Sequence, residues 1–201
     1  MKIEFVRARL AVHEPSQADL PKASHAAVAV VFREGPDSIE VLLIERAERE
    51  GDPWSGHMAF PGGRMERDDD STRQAAQRET FEEVGVDLTN AEYLGQLDDI
   101  VGNPSSHPTL VVAAHAFYLV EQQSFEIDAN EVQAAFWFPL ADMLERSRSV
   151  EYKIPDHPEM RFQGILVGIP KRHVVWGMTY RFLDDLLRVL GHVIPGRPAD
   201  S

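Results

Sequence analysis

Between Phe60 and Leu88 the chain reads FPGGRMERDDDSTRQAAQRETFEEVGVDL, and no other stretch restricts the fold so strongly. Pro61-Gly62-Gly63 marks a tight turn. Ser71 and Gln74 make an S-x-x-Q capping box, Ala75 and Ala76 favour helix, and Gly85 stands where a C-cap belongs, so the pattern predicts a helix over about residues 71–84. Glu79, Glu82 and Glu83 then fall at i, i+3 and i+4, on one arc of about 100°. Two carboxylates about 5 Å apart repel by roughly 3 kcal/mol at an effective dielectric constant of 20, so cations are needed to make that face favourable. Mg²⁺ or Mn²⁺, which prefers carboxylate oxygens and keeps positions for water or phosphate, suits the cluster. Arg78 can pair with Glu82, and Ala75 and Ala76 are expected on the same side, leaving room for ions and substrate. Taken alone, R-E-x-x-E-E is more often a solvated helix face than a metal site. Glycines just before the helix, which let backbone carbonyls approach an ion, favour the metal site.

The surrounding pattern is mixed α/β. Apolar runs at residues 26–32 and 39–46, separated by Gly-Pro and Asp-Ser turn chemistry, read as a β-hairpin. Further strands are expected in AEYLGQLDDI, TLVVAAHAFYLV and EVQAAFWF, and a hairpin within residues 151–169. PLADMLERS opens with proline at a first helical position, and VVWGMTYRFLDDLLRVLG is the longest amphipathic helix pattern. One domain over residues 26–190 is expected, with residues 1–25 as an irregular lead-in and 191–201 as a loose tail.

Composition excludes several classes. With 33 acidic against 20 basic residues the formal charge is −13, which disfavours a broad nucleic-acid or anionic-membrane footprint. There is no cysteine, hence no disulfide, thiol nucleophile or cysteine zinc site. The opening residues lack the apolar core of a secretory signal, and no run of 18 apolar residues suggests a membrane span, so a cytoplasmic protein is expected. P-loop, G-x-S-x-G and H-E-x-x-H patterns are all missing.

Gly63, Glu66, Asp69 and Arg78-Glu79-x-x-Glu82-Glu83-x-Gly85-Val86 resemble the Nudix box, G-x5-E-x7-R-E-U-x-E-E-x-G-U. The gap from Gly63 to Arg78 is one residue longer than the usual form, and Asp70 stands where a glutamate is expected eight residues before the arginine. The coenzyme A pyrophosphatase branch has the same longer gap after F-P-G-G, with an acidic residue three after the second glycine, here Glu66. The likeness continues through LLIERA (residues 42–47), QLDDIV (96–101), EVQAAFWFPL (131–140) and VVWGMTYRFLDDLL (174–187). It departs from the branch at Ile44, where threonine is usual, and at Gly51, where an arginine is usual.

The resemblance implies an α/β/α sandwich with a mixed central β-sheet. It implies Mg²⁺- or Mn²⁺-dependent hydrolysis of a pyrophosphate bond in a nucleoside diphosphate linked to a second group X. Coenzyme A or a derivative leads; ADP-ribose, dinucleotides, nucleotide sugars, and a nucleotide-sensing domain without catalysis are the alternatives. By the same likeness, Glu79, Glu82, Glu83 and the Gly63 carbonyl are expected metal ligands and Arg78 an orienting partner. Glu131 is a candidate general base or an exposed strand-end carboxylate, with Glu82 or Glu83 as rivals for the role. Arg46 and Arg64 are candidate phosphate contacts or surface charges, and Trp54 a candidate base-stacking residue. Glu66 and Asp69 are candidates for binding water near the metals or for complementing the helix dipole. A small-molecule nucleotide as the partner and a homodimer are implied as well.

Overall fold

A computed structural model describes residues 1–20, 22–49, 55–102, 109–154 and 157–196. The apolar runs form β1 (Ser24–Glu34) and β2 (Ile39–Arg46), an antiparallel hairpin in which Phe32 pairs with Val41. β3 (Met58–Ala59) pairs with β2, and β4 (Gly62–Arg64) lies antiparallel on β1, with Val28 opposite Gly62. After α2 (Thr72–Val84) come β5 (Glu92–Gln96), β6 (Ile100–Val101) and β7 (Leu110–Leu119). β7 runs parallel to β1 from Ser24↔Leu110 to Arg33↔Leu119, while β5 and β6 pair antiparallel with it. β8 (Val132–Pro139) closes the far side against β2. The central sheet is therefore mixed, as expected.

β1 alternates between two apolar layers, as a strand covered on both faces must. Ala27, Ala29 and Val31 face Ala75, Ala76 and Val84 of α2. Ala26, Val30 and Phe32 face the opposite layer, built from α1 (Ile3–Leu10) and α3 (Gly177–Val189) with Phe182, Leu183, Leu186 and Leu187 at its centre. This is the α/β/α arrangement. Ala75 and Ala76 are fully buried against the sheet, so the room expected beside the glutamates is instead used for close helix–sheet packing.

Other local expectations also shift. The first ten residues carry a helix, α1, whose Ile3, Val6 and Leu10 enter the core at i, i+3 and i+7. PLADMLERS forms 3-10 turns, Leu140–Leu144 and Arg146–Arg148, because Pro139 is still the last residue of β8. β9 (Ser149–Ile154) and β10 (His157–Leu166) give the expected hairpin, and β11 (Val174–Val175) joins β10. That pairing holds Val174 and Val175 out of the last helix, which starts only at Gly177 after an extended Trp176.

Candidate active site

α2 begins and ends as its sequence dictates. Ser71 Oγ accepts from Gln74 N at 3.2 Å, and the Gln74 side chain accepts from Asp70 N at 2.8 Å, a reciprocal cap shifted by one residue. Gly85 closes the helix in the left-handed region. With both ends fixed, Arg78 lies at the centre of a cluster of charges.

Arg78 donates from Nε and Nη2 to the two Asp69 oxygens at 3.1 and 2.8 Å. Its Nη1 donates to Glu79 and to Glu82, both at 2.9 Å, and Nη2 also reaches the Arg64 carbonyl at 3.1 Å. One guanidinium thus orients two of the glutamates and ties the helix to β4, the planar fork being suited to bidentate work. Asp69 is nearly sealed, and the Arg78 guanidinium holds its carboxyl below the usual range despite that burial. Arg78 itself is raised, chiefly by Asp69.

Glu83 turns the other way. It is 2% exposed and accepts a hydrogen bond from Gly62 N at 2.9 Å. Burial pushes its carboxyl up to about 8, with the Glu79 charge adding to the effect and Gly62 N–H and Arg46 opposing it. Burial also raises Glu79, against the pull of Arg78. Glu82 is about half exposed. The three carboxylates share one helix arc but differ in setting: Glu82 is half exposed and Glu79 more buried, both bonded to Arg78, while Glu83 lies beneath the glycine turn.

The glycines are required by that closeness. A Cβ on Gly63 would run into the Glu79 carboxylate, and one on Gly62 would strike the Ala27 carbonyl and Val28. Gly62 also has φ 153°, which L side chains rarely adopt. Ala29 N bonds the Pro61 carbonyl at 2.8 Å and Met65 N the His25 carbonyl at 2.9 Å, pinning the turn to β1.

A cavity of about 330 Å³ opens beside this turn, lined by Arg46, Gly62, Gly63, Arg64, apolar residues of β1, β3 and β7, and the first turn of α3. Arg46 and Arg64, candidates for phosphate contact or for plain surface charge, border it, and the described lining includes no carboxylate. Glu131 lies just before β8 with Arg49 Nη2 3.8 Å away, and its charge reaches both Glu79 and Glu83. Trp54, and the departure at Gly51, fall outside the described residues.

Three residues gain places that the sequence pattern does not give them. Asp69 anchors Arg78; its position nine before the arginine, in a run of three aspartates, masks it. Trp176 and His57 both line the cavity, their rings edge to face at 4.8 Å, and Tyr152 stacks behind Trp176 at 4.5 Å. An apolar flank makes Trp176 resemble plain core, and only the extended link before α3 distinguishes it.

The sequence model of the NUDIX domain matches residues 23–157. An uncharacterized protein of Schizosaccharomyces pombe is 39% identical over 142 residues, covering 62% of this chain and 43% of that protein. Peroxisomal coenzyme A diphosphatase ndx-8 of Caenorhabditis elegans is 31% identical over 148 residues, covering 69% of this chain and 60% of the relative. The chain thus spans less than two thirds of the length of either. Among solved structures, a MutT/nudix family protein from Enterococcus faecalis superimposes with a TM-score of 0.53 at 21% identity, covering 94% of this chain and 74% of that one. That likeness concerns the fold.

Proposed function

Since the chain belongs to the Nudix family, we propose that it hydrolyses the pyrophosphate bond of a nucleoside diphosphate linked to a second group, with coenzyme A or a derivative as leading substrate. The observation that carries this is the meeting of the Gly62-Gly63 turn, the Glu79 and Glu83 carboxylates and a cavity edged by Arg46 and Arg64 at one place. A mere solvated helix face would not bury Glu83 under a backbone N–H.

The donor set fits a hard divalent cation: Glu79, Glu82, Glu83 and the Gly63 carbonyl are all oxygen ligands, which suits Mg²⁺ or Mn²⁺. Like charge and burial destabilise Glu79 and Glu83 as bare anions, which is the electrostatic state a cation relieves. When bound, the ion neutralises charge on the phosphate oxygens and acidifies water. Arg78 fixes the Glu79 and Glu82 rotamers, so the ligands are oriented before substrate arrives. Arg46 and Arg64 bind the diphosphate oxygens at the cavity edge. Glu131, close enough to feel Glu79 and Glu83, takes the proton of the attacking water.

Support for coenzyme A comes from the F-P-G-G and Glu66 spacing and from the 31% identical diphosphatase. Ile44 and Gly51 depart from that branch, which favours ADP-ribose, a dinucleotide or a nucleotide sugar as the second reading. The test is incubation with Mg²⁺ and a pool of coenzyme A, ADP-ribose, NADH, UDP-glucose and diadenosine polyphosphates, with Glu83→Gln as control and products read by mass spectrometry. Release of 3′,5′-ADP and 4′-phosphopantetheine is the expected result. Cleavage of another member with coenzyme A intact moves the assignment to that substrate, and no cleavage with either Mg²⁺ or Mn²⁺ replaces it with nucleotide sensing.

A further inference from the structure

A second group of metal-ligating side chains lies away from the glutamates. His13 follows the end of α1, Asp98 lies in the turn between β5 and β6, and Asp185 is on α3. One donor atom from each falls within 4.8 Å of the others. The approach of His13 Nε2 to Asp98 Oδ1 is 3.3 Å, and that nitrogen is sealed from solvent without making a hydrogen bond. Two ligands on a tetrahedral ion with bonds of 2.0–2.1 Å stand about 3.3 Å apart.

The carboxylates are held in place by backbone groups. Ser16 N donates to Asp98 Oδ1 at 2.8 Å, and Asp98 N donates to Asp185 Oδ2 at 3.2 Å. Asp99 N bonds the Ser16 carbonyl at 2.9 Å, so the strap after α1 is laced to the β5–β6 turn. The three residues belong to three elements, and sequence spacing alone gives no hint of them.

We propose that His13, Asp98 and Asp185 form a structural divalent-metal site, selective for zinc over magnesium, that clasps the segment after α1 to α3. The chemistry of the donors sets the selectivity. One imidazole nitrogen with two carboxylate oxygens suits Zn²⁺, and water completes the shell; Mg²⁺ prefers oxygen alone. The site is independent of the catalytic assignment, because none of its ligands comes from α2 or the glycine turn.

The experiment is zinc titration calorimetry on the full chain in excess Mg²⁺, with Co²⁺ absorption as a geometry probe. The expected result is one zinc per chain, a four-coordinate Co²⁺ spectrum, and a Tm increase of roughly 5–10 °C when free zinc is about 100 times its Kd. His13→Gln and Asp185→Asn should each weaken zinc by at least about 100-fold, since even an outer-shell partner costs 10–100-fold. Glu83→Gln should leave zinc in place, which separates this site from the catalytic one. Should His13→Gln fail to fold, Asp185→Asn and zinc-edge X-ray absorption of the unaltered protein decide, the latter by showing one imidazole in the shell. Failure to bind stoichiometric zinc in excess Mg²⁺, equal binding by the folded variants, or a shell without imidazole overturns the proposal.

Discussion

Replacing Glu83 by glutamine should stabilise the metal-free protein at alkaline pH while removing its activity. Glu83 is 2% exposed, and its carboxyl is raised from 4.5 to about 8, first by burial and then by the Glu79 charge. A carboxyl raised in the folded state holds its proton more tightly there than in the unfolded chain. Its contribution to stability is therefore complete below pH 4.5, declines as pH rises, and is gone above about pH 8. At 1.36 kcal/mol per pH unit, that interval corresponds to about 3–5 kcal/mol. Glutamine is uncharged throughout and still offers an oxygen to Gly62 N–H, so the variant escapes the loss.

The measurement is urea unfolding in chelator from pH 5 to 9, for both proteins. The two should be nearly equal at pH 5, and by pH 9 the variant should be more stable by about 3 kcal/mol, roughly 6 °C or more in Tm. Subtracting one curve from the other also cancels His115. That residue is 3% exposed and lowered to about 4 by burial, so its contribution is present above pH 6.5 and lost as pH falls toward 4 in both proteins. Turnover of the variant should fall by at least about 10²-fold, as for loss of a group acting on charge in the transition state. Parallel stability curves, or a variant less stable at pH 9, would refute the view that Glu83 is an electrostatically strained carboxylate.

Asp69→Asn replaces one of the three carboxylates that fix Arg78 with an uncharged amide, and should cost about 2 kcal/mol in urea unfolding while lowering kcat, because Arg78 then shifts against Glu79 and Glu82. Gly63→Ala places a methyl group against the Glu79 carboxylate and should cut kcat/KM by roughly 10²-fold in the Mg²⁺ assay, an effect of displaced ligands. Trp176→Leu keeps an apolar wall but removes the ring from the cavity; KM should increase roughly 10-fold with kcat nearly unchanged. Equal losses in kcat for Trp176→Leu would show that the ring does more than bind.

How much of this is legible in the sequence depends on distance along the chain. The capping residues Ser71, Gln74 and Gly85 place α2 to within a residue because each acts over one turn. The β1–β2 hairpin is equally local. Arg78 to Glu82 is an i,i+4 contact and could be anticipated; Arg78 to Asp69 spans a loop whose path the sequence does not set. The face taken by Ala75 and Ala76 depends on which side of α2 meets the sheet, and small residues fit a crowded interface as well as an open site. α1 escapes notice because only Ile3, Val6 and Leu10 mark its buried stripe, too short a pattern to stand out. The cavity wall at His57 and Trp176 joins residues far apart in the chain, so no local periodicity signals it.

β1 explains why the glutamates and the cavity meet where they do. Ala27 and Ala29 on one face let α2 approach closely, bringing Glu79 and Glu83 over the strand edge. On its other face, Ala26 and Val28 form part of the cavity floor. β4 runs along that same edge, and its glycines lack the side chains that would separate the two sides. A larger residue at Ala27 would lift α2, while one at Gly62 would push the turn off β1. Either change would part the carboxylates from the cavity without touching a charged group. The small residues therefore set the distance across which the charged ones act.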